Sequence, residues 1–383
     1  MPENSKESKK IMIGNASFLL AFFILTTALW NEYAWYEKTA PFATLISFAA
    51  LSVTLFCYVG IKEAVKDPYF IMMAAATVIA AVNLFIVDSG KGAWLTAADV
   101  LIVIYLSDRI KLSKPLIWAV SAYTGFFFFY WTYDVKGYFK GYNTNYGGLV
   151  LLTGFVFAVL MFTALKEKLK ETEKGGAVFL AAFIVFLFLW GYNIIAWYRA
   201  RCALLGFVVF LILLVLPQKV RTGRIFYSLT VYAVTAGAIL VSLLYVFAGV
   251  YLKKLDISIF YKDIISGRDE IWADLWRAFL RSPVTGIGSS YRINVDWMGG
   301  MFEVHNGLLD ILIVHGIIVF AVTLFLLIKR LLSTRSYAAG NKVASVAMSG
   351  VFAMLAASFM ENFFIVPPFL LAVAALIAIA RSV

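Results

Sequence analysis

Long apolar runs separated by short polar connections make up most of the chain. A helix needs about 20 apolar residues to cross the hydrocarbon core of a bilayer, and the runs repeatedly approach or exceed that length. The pattern therefore predicts an all-α polytopic membrane protein of about twelve transmembrane helices, forming one integral membrane domain over 1–383. The expected helices lie near 12–30, 41–61, 69–88, 94–108, 115–133, 147–165, 176–197, 201–217, 225–252, 303–328, 343–360 and 364–380.

One longer polar segment, at about 253–304, separates the ninth and tenth predicted helices. Within it, residues 266–281 carry apolar side chains at helical spacing, which predicts an amphipathic helix outside the membrane. We expect Ser266 to cap this helix, Asp269 to complete a capping box and Pro283 to stop the helix. A chain that is otherwise almost entirely membrane-embedded is expected to place its chemistry in this segment.

Composition supports the membrane assignment, since 62% of the 383 residues are hydrophobic and only 14% are charged. The net charge of +11 does not indicate nucleic-acid binding, because the basic residues are scattered between apolar runs. They gather in alternate connections, so the positive-inside rule predicts cytoplasmic termini and an outer location for 253–304. Cys57 and Cys202 fall in predicted helices near opposite faces, and no disulfide is expected.

Charged residues at the outer helix ends are the candidates for chemistry. Arg268 lies in the first turn of the amphipathic helix, where free N–H groups favour an anion. Arg201 heads the eighth predicted helix, His305 stands at the outer mouth of the tenth, and Glu361 ends the eleventh. Ion pairing and snorkelling would also explain each of them. His315, deeper in the tenth helix, is expected to be packed, and two histidines so placed do not suit a zinc site.

Three motifs resemble the O-antigen ligase and polymerase family, membrane glycosyltransferases that act on undecaprenyl-linked glycans. The first is Arg201 heading a span in the sequence RCALLG, and the second is Ser-Gly-Arg-x-x-x-Trp at 266–272, followed by Pro and Gly-x-Gly. The third is His-Asn-x9-Gly at 305–316. Ligases commonly carry Gly, Thr or Tyr three residues after that last glycine, whereas this chain carries Val319.

The resemblance implies a metal-independent, inverting glycosyl transfer that needs no cofactor. Arg201 and Arg268 would hold the pyrophosphate of an undecaprenyl-pyrophosphate-linked glycan, and His305 would deprotonate the acceptor hydroxyl. Arg292, Asn306 and Glu361 are further candidates for contacts to the acceptor or the diphosphate. The site would lie on the outer face of the bacterial inner membrane, among membrane lipids, and a chain-length regulator is a conceivable partner.

Several functions fit this chemistry. A repeat-unit polymerase would use a second lipid-linked glycan as acceptor, whereas a ligase would use a sugar of the lipid A core; the compact loop and Val319 favour the polymerase. A transferase for teichoic-type polymers and a protein O-glycosylating enzyme are further variants. A secondary transporter is the alternative of another class, and Asp99 and Asp310, inside predicted helices, are the residues that support it.

Overall fold

The computed structural model describes residues 3–133, 143–170, 172–253, 258–259, 262–263 and 265–383. Its helices are α1 (Glu3–Trp30), α2 (Tyr33–Tyr58), α3 (Ile61–Ala64), α4 (Pro68–Asn83), α5 (Lys91–Leu106), α6 (Lys114–Tyr133), α7 (Thr144–Leu169), α8 (Lys174–Tyr198), α9 (Arg201–Val215), α10 (Gln218–Arg221), α11 (Arg224–Val234), α12 (Gly237–Lys253), α13 (Arg268–Phe279), α14 (Gly307–Ser333), α15 (Arg335–Gly340), α16 (Lys342–Ala357) and α17 (Pro367–Ser382). Short 3₁₀ turns occur at Asp296–Met298 and Phe363–Ile365. Two short strands, β1 (Ser258–Ile259) and β2 (Lys262–Asp263), pair antiparallel.

The all-α membrane character predicted from the sequence is confirmed, and each predicted span overlaps a helix. Within the described residues, five helices are long and apolar enough to cross a bilayer: Ser8–Trp30, Tyr33–Tyr58, Thr144–Leu169, Lys174–Tyr198 and Gly307–Gly340. The ninth predicted span is the pair α11 and α12, which bends by 53° and would be a sixth. The count of about twelve spans therefore stays a prediction, as does the single domain. The predicted loop 253–304 begins partly outside the described residues.

Burial distinguishes the central helices from the peripheral ones. In α7, 78% of the most apolar stretch is buried, whereas the value for α8 is 17%. A helix that is apolar all round and buried lies inside the bundle, while one that is apolar and uncovered suits contact with lipid. Gly154 brings α7 against α6, because a Cβ there would lie 2.5 Å from the backbone nitrogen of Phe128. The helices behind the polar loop are therefore a closely packed support.

Helix α14 is broken at Gly316, whose backbone has φ +82° and ψ 174°. The segment after Pro283 fills the break: the N–H of Ile317 donates to Pro283 O at 2.8 Å, and the N–H of Ile287 donates to Ile313 O at 2.8 Å. A Cβ on Gly316 would lie 2.0 Å from Val284 O. The glycine is therefore required by both its dihedral angles and this close approach.

The same contact explains the Gly-x-Gly sequence at 286–288. Both glycines have positive φ, and a Cβ on Gly286 would lie 2.4 Å from Val314 O. The side chain of Asn83, at the end of α4, donates at 3.1 Å to both Thr285 O and His315 O. The turn is therefore docked into a transmembrane helix, which the sequence interpretation of a simple bend missed.

Candidate functional site

The polar helix α13 begins with a left-handed turn at Ser266 (φ +50°) and Gly267 (φ +72°). Its N-cap is Gly267, and no side chain caps it, so the predicted cap by Ser266 and the capping box with Asp269 are wrong. The Ser266 hydroxyl is used differently, since it accepts a hydrogen bond from Arg201 Nη2. A Cβ at Gly267 would lie 2.4 Å from the Trp297 ring, so glycine lets the turn pack tightly.

This turn brings Arg268 and Arg201 to the same place. Arg201 is the first residue of α9 and is joined to the turn through Ser266. Arg268 is only 7% exposed, and its Nη2 donates to Met360 O at 2.7 Å. Its Nε has no hydrogen-bond partner among the described residues. A buried guanidinium with an unused donor retains capacity to bind an anion.

His305 lies between two carboxylates. Its Nδ1 is 3.0 Å from Glu361 Oε1, and its Nε2 is 2.9 Å from Glu303 Oε2. Ionised carboxylates only accept hydrogen bonds, so the ring must donate from both nitrogens in this arrangement. Burial alone would lower the pKa of His305, but the hydrogen bonds to Glu303 and Glu361 outweigh it and raise the pKa to about 9. As it stands, His305 is an imidazolium at neutral pH.

Glu361 connects the two halves of the cluster. It lies between α16 and α17, and its Oε2 accepts from Asn145 Nδ2 at 2.7 Å. The same oxygen is 3.8 Å from Arg268 Nη2, while Oε1 meets His305. A single carboxylate thus contacts an arginine, an amide and the imidazole. Its position near the end of α16 suggested a site residue from sequence, but these partners are far from it in the chain.

The backbone around His305 is held rigidly. His305 itself has a positive φ of +55°, an uncommon conformation for a residue with a side chain. Asn306 is fully buried and caps α14, since its Oδ1 accepts from Leu309 N at 3.0 Å and its Nδ2 donates to Ala238 O at 2.9 Å. The Trp272 indole donates to Val304 O at 2.7 Å. The side chain of Asn306 is thus engaged in the fold, and its predicted substrate contact stays a prediction.

A cavity of about 280 Å³ lies beside Glu361. We call it the tyrosine cavity; its lining residues are Tyr33, Tyr36, Asn143, Asn145, Tyr146, Leu149, Glu361, Asn362, Phe363, Val366 and Phe369. The rings of Tyr33 and Tyr36 stack with centroids 6.0 Å apart, and Tyr146 meets Tyr36 edge-on at 5.3 Å. Aromatic faces together with amide and carboxylate groups suit a ligand with both apolar faces and hydroxyls, such as a sugar.

The structure therefore groups Arg201, Arg268, His305 and Glu361, whereas Arg292 is exposed beside Gly300 and has no described contact with them. Glu303 and Asn145 were not among the candidates chosen from the sequence. Glu303 stands two residues before His305, a spacing that gave a weak signal. Asn145 gave none, because its contact crosses the bundle. Among the described residues, no group of three or more His, Cys, Asp or Glu side chains could hold a metal ion.

Residues 173–324 match the family model described as O-antigen ligase. This match covers Arg201, Arg268, Arg292, His305 and Asn306, and it confirms the resemblance found from the sequence motifs. Comparisons with curated proteins and with solved structures give no match.

Proposed function

We propose, from the assignment of residues 173–324 to the O-antigen ligase and polymerase family, that this membrane protein is an inverting glycosyltransferase. It would transfer an undecaprenyl-pyrophosphate-linked glycan to a sugar hydroxyl during assembly of a surface polysaccharide. One observation carries the proposal: Arg201, Arg268, His305 and Glu361, from four separate parts of the chain, meet beside a cavity suited to a sugar.

The two arginines would receive the pyrophosphate of the donor. Breaking the bond between the anomeric carbon and pyrophosphate places growing negative charge on the leaving group, and fixed guanidinium groups stabilise that charge best in a partly dry site. Arg268 is buried and keeps an unused Nε donor, and Arg201 is tethered to the same turn through Ser266. Both features support a preorganised pyrophosphate site.

His305 would be the general base, oriented by Glu361. For this role the imidazole must lose its second proton, and the side chain of Glu303, 55% exposed, is the partner that can move away. An acceptor hydroxyl that takes the place of Glu303 would meet Nε2, while Nδ1–H continues to donate to Glu361. The hydroxyl oxygen then attacks the anomeric carbon, its proton passes to Nε2, and undecaprenyl pyrophosphate departs. A single displacement of this kind inverts the anomeric centre.

The acceptor sugar would occupy the tyrosine cavity. Its stacked Tyr33 and Tyr36 rings can cover a sugar face, and Asn145 and Asn362 can bond hydroxyl groups. Because Glu361 lines this cavity and also bonds His305, a sugar bound there would lie next to the proposed base. A second lipid-linked glycan is the acceptor we favour, which makes the protein a repeat-unit polymerase; a lipid A core sugar would make it a ligase.

The test is glycan transfer by purified protein in liposomes containing EDTA and an undecaprenyl-pyrophosphate-linked glycan. We expect the wild type to lengthen the glycan without added metal and His305→Ala to reduce the rate by about 10²- to 10⁴-fold. Product supplied only when lipid A core is added would identify a ligase. A folded wild type that transfers to neither acceptor would contradict the proposal and favour transport.

A further inference from the structure

A second cavity, of about 580 Å³, lies at the opposite end of α14 from His305. We call it the basic cavity. Leu326, Lys329, Arg330 and Ser333 come from the last turns of α14, and other walls come from α15, the end of α5, the start of α4 and the end of α17. It is separate from the candidate glycosyl-transfer site, and neither the proposed reaction nor the family match assigns it a role.

The inner part of this cavity is an internally neutralised network. Arg109 Nη2 lies 2.6 Å from Asp67 Oδ2, and its Nη1 lies 3.0 Å from Asp108 Oδ1. Arg330 pairs with the other oxygen of Asp108 and donates to Ile104 O at 3.0 Å. The two carboxylates of the cavity are therefore already engaged by two arginines.

Two further cations line the cavity without such a partner. Within the part of the chain that the structure describes, no carboxylate pairs with Lys329 or Arg381. Arg381 lies over the Tyr337 ring at 4.7 Å and makes long contacts of 3.4 Å to the Tyr337 hydroxyl and Ser333 Oγ. The cavity thus carries an excess of two positive charges next to hydroxyl groups, which is a donor set suited to phosphate.

The surroundings distinguish a lipid from a small ion. Leu326 and Tyr69 form part of the wall, and Tyr69 stacks on Phe325, whose side chain is 46% exposed at the helix surface. An apolar surface beside a basic cavity suits a headgroup that remains attached to acyl chains. Lys and Arg also concentrate at the ends of these helices, on the side predicted to be cytoplasmic, where anionic lipids attract positive charge.

We propose that the basic cavity binds the phosphate of an anionic phospholipid headgroup through Lys329 and Arg381. The inner pairs of Arg109 and Arg330 with Asp67 and Asp108 hold the walls in place and leave the two outer cations for the ligand. Such a lipid would bridge α14 and α17 at the face opposite the transfer site.

The experiment is native mass spectrometry of the full-length protein in detergent, titrated with phosphatidylglycerol, phosphatidylcholine or inorganic phosphate. We expect the wild type to bind phosphatidylglycerol more tightly than phosphatidylcholine. Lys329→Gln combined with Arg381→Gln should weaken phosphatidylglycerol binding by about 10- to 30-fold. Arg381→Lys alone retains the charge and should keep most of the binding.

A matched control removes two charges elsewhere on the same predicted face. Lys219 and Arg224 are exposed and do not line the cavity, so Lys219→Gln combined with Arg224→Gln should leave the affinity unchanged. Equal loss in the control, or undiminished binding by the cavity variant, would overturn the proposal. Binding of inorganic phosphate without phosphatidylglycerol would overturn the lipid assignment. If the double variant does not fold, Lys329→Gln alone, at an exposed position, should still weaken binding by about 5-fold.

Discussion

The segment 173–324 contains Arg201, Arg268 and His305, whereas the cavity beside them is lined by α2, α7 and the connection around Glu361. Only the first of these two regions matches the O-antigen ligase family. In the proposed reaction, the matched segment handles the pyrophosphate and the proton, and the remainder of the chain meets the acceptor. The comparison teaches that the reaction and its acceptor choice depend on different parts of the sequence, joined at Glu361.

The largest effect should come from the matched segment. Arg268→Ala removes a buried guanidinium from the leaving-group site, and we expect the transfer rate to fall by about 10³-fold, because charge stabilisation in the transition state is lost. Single-turnover transfer in liposomes measures it. Arg277→Ala is the control, since that side chain lies on the same helix and is 70% exposed. Equal rates in the two variants would remove Arg268 from the site.

The second prediction concerns the residue that joins the regions. Glu361→Gln keeps the size of the side chain but weakens its bond to His305 Nδ1, so we expect a loss of about 10²-fold in kcat. Glu361 acts here through His305, so the pH profile should also move to lower pH, which loss of packing alone would not cause. Glu63→Gln, an exposed carboxylate on α3, serves as the control. An unchanged kcat would separate Glu361 from the base.

A smaller effect should come from the unmatched region. Tyr33→Ala removes one stacked ring from the tyrosine cavity, and we expect the KM for the acceptor glycan to rise by about 3- to 10-fold with little change in kcat. Trp35→Ala is a close control, because that ring is 44% exposed and does not line the cavity. A rise in the donor KM instead would place the donor, not the acceptor, in this cavity.

The smallest effect is a displacement of the pH profile. Hydrogen bonds to Glu303 and Glu361 overcome the effect of burial and raise the pKa of His305 to about 9, so activity that needs the neutral ring should increase with pH up to that value. Glu303→Gln removes one of the carboxylates, which lowers the pKa and moves the rising limb about one pH unit toward acid.

The control for this last prediction is Asp296→Asn, an exposed carboxylate in the same loop, which should leave the profile in place. An activity that falls as pH rises from neutrality would instead show that the imidazolium is the active form. In that case His305 would help to bind the pyrophosphate and would not remove a proton.

Much of the architecture could be predicted from hydropathy, because apolar runs of span length have few alternatives to a membrane helix. The boundaries were less predictable: α2 begins at Tyr33, before Pro41, and the ninth predicted span bends between α11 and α12. The polar helix α13 was found from its periodicity, but its N-terminal cap was wrong. Left-handed turns such as Ser266-Gly267 arise from packing, here against Trp297, and a capping pattern does not reveal them.

For the site, sequence motifs indicated Arg201, Arg268, His305 and Glu361 as candidates, and the structure brings these four together. Arg292 was indicated by the same arguments and lies away from them. The use of Gly286 and Gly316 at one backbone crossing was not predictable, since both carbonyl contacts come from segments distant in the chain. Asn145 was not predictable for the same reason.

By itself, the sequence determined that the protein is helical and membrane-embedded, that one polar segment carries candidate chemistry, and which family its motifs resemble. These properties follow from local hydrophobicity and local spacing. The tertiary structure alone decided that Glu303 and Glu361 enclose His305, that α2 and α7 line the neighbouring cavity, and that Lys329 and Arg381 share another. Each of these depends on how side chains from separate helices meet, and packing across the bundle, not local pattern, sets those distances.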